Sequence, residues 1–197
     1  GSIHEYPVPF IRLLADLKSR AARVIGLDVD PAIMGNPGVD EALVYDGSRF
    51  PIEDASIDLI ISDYVFEHVD NPDVFTAEID RVLKPGGWLC ARTPYRYSLL
   101  SLVTSAMPTK LYARLLWTLQ SDRRAEDTFT THYALNTFGK LRRFFPAACW
   151  KHCAYTWSPE PSYHGGSRLL FAAQRAYQWI KWPFGGEVLM VFLQKTS

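Results

Sequence analysis

The feature that most constrains this chain is a series of short apolar runs, each stopped by an acid or a tight turn, with helical periodicity between them. Val24, Ile25, Leu27 and Val29 form a run rich in β-branched residues that ends at Asp28, Asp30 and Pro31. Such a run is too short for a helix and apolar on both faces, as a strand buried between layers must be. Ala42 to Tyr45 ends in Asp46-Gly47, Ile57 to Ser62 ends in Asp63, and Trp88 to Thr93 follows the reversal Lys84-Pro85-Gly86-Gly87. Phe10, Ile11, Leu13, Leu14 and Leu17, behind Pro9, predict a helix over 10–20, and Val74, Ile79, Val82 and Leu83 predict another over 72–83. Strands alternating with helices predict an α/β fold built on a doubly wound, mostly parallel sheet.

The second half has a different pattern. Residues 99–120 are apolar with scattered Lys110 and Arg114, a charged break runs from Ser121 to Asp127, and a polar run from Thr128 to Tyr133. This predicts helices inserted over the sheet, within about 95–136, rather than another strand-helix unit. Asn136-Thr137 reads as the cap of a helix over 137–145, because either side-chain oxygen can accept from a first-turn amide. Ala148 to Tyr155 and Val188 to Leu193 read as the last two strands. Between them Leu169, Leu170, Ala173, Ala176, Tyr177 and Ile180 share one helical face, while Arg168, Phe171, Arg175, Trp179 and Trp182 share a second. That second face suits a membrane surface, the sheet or a partner subunit alike. The length fits one domain over 1–197.

Charge is balanced, 21 basic against 21 acidic side chains, so no global field draws the chain to nucleic acid. Three cysteines, Cys90, Cys149 and Cys153, predict reduced thiols in a cytoplasmic protein rather than a disulfide framework. In Cys149-Trp150-Lys151-His152-Cys153, strand alternation would leave His152 opposite the two thiols, with no second ligand pair. No metal site is expected, and buried free thiols are. No apolar run reaches the roughly 20 residues that cross a bilayer.

Ligands of open parallel sheets bind beyond the carboxyl ends of the strands, so the acids there come first. A carboxylate at Asp28 can accept from both hydroxyls of a ribose. One at Asp46 can hold an exocyclic amine while Gly47 lets a ring approach the backbone, and Asp63 closes the third strand. Taken singly, each is as readily a turn former or a helix cap.

Their order and spacing mark a family. Val24-Ile25-Gly26-Leu27-Asp28, then Asp46-Gly47 with Phe50-Pro51, then Ser56-Ile57-Asp58-Leu59-Ile60, Glu67-His68-Val69 and Arg81-Val82-Leu83-Lys84-Pro85-Gly86-Gly87 together resemble the class I S-adenosylmethionine-dependent methyltransferases, type 11-like, over roughly 10–95. The resemblance implies a Rossmann-like, seven-stranded sheet, S-adenosyl-L-methionine as methyl donor and S-adenosyl-L-homocysteine as product. It implies that Asp28 and Val29 meet the ribose, Asp46 the adenine amine with Gly47 beside the ring, and Asp63 or Tyr64 the methionine moiety. One departure stands out. The family opens with a central strand leading into a Gly-x-Gly-x-Gly loop, yet no glycine lies between Ser2 and Gly26. Either residues are missing from the sequence between about Tyr6 and Phe10, or the chain is a natural pseudo-enzyme. Regular Cα spacing of about 3.8 Å across 3–12 would exclude the first.

Methyl transfer is an in-line displacement that needs alignment and exclusion of water, and a hydroxyl acceptor gains from a base. His132 and His164, with Tyr133 and Tyr163 beside them, are the candidates outside the cofactor residues. His68 reads as structural, opening the helix after the third strand. The stretch Glu126 to Thr137, with Thr93 to Ser98, is similar to bacterial methyltransferases of polysaccharide or glycolipid biosynthesis. That likeness implies a small-molecule, glycan or lipid-linked hydroxyl acceptor lined by Arg96, His132 and Tyr133. The competing expectation is a noncatalytic scaffold or partner-binding protein on the same fold. The expected location is cytoplasmic, or membrane-peripheral where the helix near 168–182 meets a bilayer.

Overall fold

The computed structural model describes residues 16–98, 131–160, 167–181 and 185–197. The chain divides into two units, Gly1–Glu53 and Asp54–Ser197.

In the first unit, β1 (Ile25–Asp28) and β2 (Glu41–Val44) pair in parallel, from Ile25 opposite Glu41 to Asp28 opposite Val44. A 3₁₀ turn over Pro31–Gly35 joins them. Asp30 caps it by accepting from the Ala32 amide at 2.9 Å, and Pro31 occupies a first-turn position where no N–H is needed. Ile33 of this turn is buried, and Tyr45 meets Phe50 edge-on with centroids 5.2 Å apart. Of the helix expected over 10–20, residues 10–15 lie outside the described residues. Residues 18–20 form a turn in which the Arg20 and Ala21 amides both donate to the Leu17 carbonyl.

The second unit contains β3 (Ile57–Asp63), α1 (Pro72–Val82), β4 (Leu83–Pro94), α2 (Phe138–Phe144), β5 (Trp150–His152), β6 (Tyr155–Trp157), α3 (Arg168–Lys181) and β7 (Val188–Lys195). Its sheet runs β3-β4-β7-β5, with β6 also on β7. β3 and β4 are parallel; β7 is antiparallel to β4, β5 and β6. The expectation is met in part: the fold is α/β, and the described residues form a parallel pair and a mixed five-stranded sheet rather than one mostly parallel, seven-stranded sheet. The direction of β7 follows from where it enters. Pro94, where β4 ends, lies opposite Val188, where β7 begins, and the Tyr95 amide donates to the Glu187 carbonyl at 2.9 Å. The run Ala148 to Tyr155 is not one strand either, because Cys153 and Ala154 separate β5 from β6. The central strand that the family resemblance implies has no counterpart among the described residues. Positions 3–12, which would test the chain's continuity, and 99–130, which hold most of the expected inserted helices, lie outside them.

Helix α1 starts where Asn71 accepts from the Val74 amide and Pro72 follows. It stops at Val82, and the last strand secures that end: Lys195 Nζ donates to the carbonyls of Asp80 at 2.6 Å and Leu83 at 3.3 Å, a cation on the helix's negative terminus. The Lys84-Pro85-Gly86-Gly87 block is a bulge rather than a separate turn. Pairing jumps from Ile57 opposite Leu83 to Leu59 opposite Trp88. A side chain on Gly87 would place its Cβ 2.9 Å from the Lys84 carbonyl oxygen and 3.0 Å from that of Asp58, backbone atoms that cannot swing away. Leu83, Leu89, Leu189, Val191 and Leu193 of the sheet are buried, with Ile79 and Val82 of α1 and Leu141 of α2.

Gly87→Ala is expected to cost about 1–3 kcal/mol of stability through this overpacking, read from urea unfolding. Gly139→Ala in α2, whose added Cβ meets nothing within 4 Å, should instead stabilise by about 0.5–1 kcal/mol.

Candidate active site

In the first unit, Asp28 and Asp46 stand at the carboxyl ends of the two strands. Asp28 is the last residue of β1; its Oδ1 accepts from the Asp30 amide at 3.1 Å, which turns the chain away from the sheet. Val29 beside it is exposed. The Tyr45 amide donates to the Asp28 carbonyl at 3.1 Å and carries the pairing one step past β2. Asp46 follows. Its Oδ1 accepts from the Ser48 hydroxyl at 2.5 Å and the Ser48 amide at 2.9 Å, and these bonds hold its carboxyl below the usual carboxylate range. Gly47 has φ +87°, and nothing lies within 4 Å of where a Cβ would sit. That left-handed backbone favours glycine, and it leaves an open peptide surface beside an ionised acid. Burial pushes the Tyr45 phenol up, as do the nearby charges of Asp28 and Asp46. The sequence-predicted Asp28, Val29, Asp46 and Gly47 thus fall at adjacent strand ends, where carboxylates can accept from hydroxyl and amine donors.

In the second unit, Asp63 ends β3 and is held in a fork by Arg92, with Nε at 2.6 Å and Nη2 at 2.7 Å. The same guanidinium stands 5.0 Å over the Tyr64 ring. Tyr64 takes φ +53°, uncommon for a residue with a side chain, and its amide donates to the Arg92 carbonyl at 2.8 Å. Asp63 and Tyr64 are therefore brought together around one arginine.

A second cluster joins the segment following β3 to the end of β4 and to residues 132–136. Glu67 is buried, and Thr93 Oγ1 donates to its Oε2 at 2.8 Å. Asn136, fully buried, donates through Nδ2 to Thr93 Oγ1 at 2.6 Å and to the Pro94 carbonyl at 2.9 Å. Two further bonds converge on the Glu67 carbonyl, from the His132 amide at 2.7 Å and the Tyr133 amide at 3.2 Å. The Arg96 amide donates to the Asn136 carbonyl at 3.0 Å, and its guanidinium stands 5.3 Å over the Tyr133 ring. His132 Nδ1 lies 3.7 Å from an oxygen of Asp70. The structure thus brings together Arg96, His132 and Tyr133. His164 and Tyr163 lie outside the described residues. His68 does not open a helix: it sits in a turn, its amide donating to the Val65 carbonyl, and the helix waits for the Asn71-Pro72 start signal.

Sequence reasoning missed Glu67, Thr93 and Asn136 as a unit. The available signal was an acid between Phe66 and Val69, both buried, since a carboxyl rarely enters such a setting without a partner. Burial pushes the Glu67 carboxyl up, against the opposing pull of its backbone and Thr93 hydrogen bonds. All three cysteines are free, but neither of the pair expected to be buried is: Cys149 is half-buried and Cys153 exposed, where the chain turns out of β5. Among the described residues no group of His, Cys, Asp and Glu is placed to hold a metal ion, and no helix is long and apolar enough to cross a membrane.

The family model for the methyltransferase domain matches residues 10–91. Over that region the chain is similar to class I methyltransferase domains. A relative in Mycolicibacterium smegmatis, named as a probable S-adenosylmethionine-dependent methyltransferase, is 38% identical over 91 residues, which are 43% of this chain and 33% of that protein. The chain therefore aligns with about a third of that relative's length. Among solved structures, an S-adenosylmethionine-dependent methyltransferase of Thermotoga maritima superposes with a TM-score of 0.58 at 16% identity, covering 88% of this chain and 73% of that one. One from Mesorhizobium loti gives 0.55 at 14% identity, covering 95% and 86%. At such identities the likeness is one of fold. The methyltransferase match covers β1 to β3, α1 and most of β4, and takes in Asp28, Asp46, Asp63 and Glu67; Asn136, His132 and Tyr133 lie beyond it.

The Glu67 carboxyl gives the protein a pH signature. With its folded pKa above the unfolded one, the folded state binds the extra proton between the two values, so this group's contribution to stability falls as pH rises through that window. Glu67→Gln keeps an acceptor for Thr93 and removes the titration. The melting temperature of the variant should gain on the native protein as pH climbs above the ordinary carboxylate range; parallel melting curves would dismiss the assignment.

Proposed function

We propose that the protein transfers a methyl group from S-adenosyl-L-methionine to a hydroxyl of a small molecule, glycan or lipid-linked glycan. The observation that carries the reading is the pairing of Asp28 with Asp46-Gly47 at adjacent strand ends, in the order the family uses. The donor set fits a nucleoside. Asp28 would accept from the ribose hydroxyls with Val29 beside them, Asp46 from the adenine amine, and the bare backbone at Gly47 admits the ring. Asp63 and Tyr64 are the residues proposed for the methionine end. When bound, the cofactor supplies an electrophilic methyl group on a sulfonium.

The remaining work belongs to side chains of the second unit. Arg96, His132 and Tyr133 are the proposed acceptor-lining residues, supported by the bonds that fix them to Glu67 and Asn136. His132 is the proposed base, able to take a hydroxyl proton at its imidazole, with an Asp70 oxygen 3.7 Å from its Nδ1. The acceptor's hydroxyl character rests on the likeness of 93–98 and 126–137 to glycan-pathway enzymes.

A noncatalytic scaffold is the second reading, favoured by the lack of any glycine between Ser2 and Gly26. Calorimetry with S-adenosyl-L-homocysteine separates the two. Asp28→Ala should weaken binding about 10- to 100-fold, the loss of charge-assisted hydrogen bonds worth about 1.5–3 kcal/mol. No binding by the folded native protein would establish the scaffold. If binding holds but no hydroxyl in glycan or lipid-linked glycan extracts is methylated, the acceptor assignment is wrong. Where methylation is seen, His132→Ala should lower kcat by about 10²–10⁴ with S-adenosyl-L-homocysteine binding unchanged.

A further inference from the structure

Helix α3 turns the wrong side outward for a helix that serves only its own fold. At about 100° per residue, Leu169, Ala172, Ala176, Trp179 and Ile180 fall within an arc of roughly 100°, and all five are exposed: Leu169 at 80%, Trp179 at 83%, Ile180 at 67%. Arg168 and Arg175, also exposed, border one side of that arc. The half-buried side is the more polar one, made of Phe171, Gln174, Tyr177 and Gln178, with Gln178 donating to the Pro159 carbonyl at 2.9 Å. Glu187 acts on Tyr177, so this acid lies toward that inner side. An ordinary surface helix has the reverse arrangement.

Charge selects the occupant. Between Glu160 and Glu187 the sequence holds Arg168, Arg175 and Lys181 and no acid, in a chain whose total charge is zero. A second copy packed through the same arc would set arginines near arginines with no carboxylate on the helix to neutralise them. An anionic lipid surface offers both requirements at once, apolar depth for Leu169, Trp179 and Ile180 and negative headgroups for the bordering arginines. Trp179 suits the boundary, since indole combines an apolar body with a polar N–H.

We infer that α3 docks this protein on anionic membranes, lying in the interface with Leu169, Trp179 and Ile180 inserted and Arg168 and Arg175 at the headgroups. The docking stands independently of methyl transfer, because it is read as binding and not as turnover.

The test is co-sedimentation of the full chain with phosphatidylcholine vesicles with and without phosphatidylglycerol, at low and high salt. The protein should partition onto the phosphatidylglycerol vesicles and leave them as salt rises. Arg168→Ala with Arg175→Ala should lower partitioning about fivefold per residue, and Leu169→Glu with Ile180→Glu should abolish it. Absence of binding by the native chain, or binding unchanged in both double variants, overturns the docking. So does a dimer in ultracentrifugation that the Leu169→Glu, Ile180→Glu pair disperses while no vesicle binding is seen. Far-UV circular dichroism checks folding, and should the acidic pair unfold, the arginine pair and the salt dependence decide.

Discussion

The second unit depends on the ladder between β4 and β7. Seven residue pairs run from Trp88–Gln194 to Pro94–Val188, and every other strand of the sheet hangs from one of these two: β3 from β4, β5 and β6 from β7. The ladder also ends a helix, because β7 runs on to Lys195, whose ammonium reaches the last carbonyls of α1. A buried ammonium is tolerated there because three acceptors surround it, the two carbonyls and Asp80 Oδ1 at 3.5 Å. One strand therefore fixes both sheet order and the end of the helix packed on it.

At the opposite end of the ladder the same two strands position chemistry. Thr93 is the penultimate residue of β4, and its hydroxyl relays between the amide of Asn136 and the carboxyl of Glu67. Asn136 cannot be turned over, since Pro94 O only accepts, so Nδ2 must face both partners. The bonded chain ties the segment carrying His132 and Tyr133 to the strand end carrying Arg96. The network is incomplete, since the buried Asn136 Oδ1 meets no partner among the described residues, which carries a cost; the bonds that are made still hold the loop to the strand end. That rigidity is what in-line alignment of an acceptor requires.

Much of this was legible in the sequence, and the limits were physical. Strand ends were readable because Asp28, Asp46-Gly47 and Asp63 interrupt apolar runs, and α1 was readable because Val74, Ile79, Val82 and Leu83 keep a clear period up to Lys84-Pro85-Gly86-Gly87. The direction of β7 was not, because an apolar run has the same alternation whichever way it pairs. The split of the run at 148–155 was hidden for a related reason: Cys153 and Ala154 do not break a strand by propensity, and only the pairing with β7 shows the interruption. Thr93 stands 26 residues from Glu67 and 43 from Asn136 along the chain, so their bonding is a tertiary fact that no local pattern encodes. Arg92 was overlooked for the same reason, although its fork on Asp63 now dominates that strand end.

Helix α3 shows how far periodicity reaches. It located the helix and sorted its residues into faces, but it grouped Leu169 and Ile180 with Tyr177 and placed Trp179 on the other side. In the structure Tyr177 is half-buried, while Leu169, Trp179 and Ile180 are exposed together. An apolar stripe has a direction without a destination: it tells that one side seeks an apolar environment, not whether the protein supplies it. Here Gln174 and Gln178 face inward, and the described residues do not supply it. The apolar arc, its arginine border and the lack of acids from 161 to 186 are separate observations, and a negatively charged interface satisfies all three.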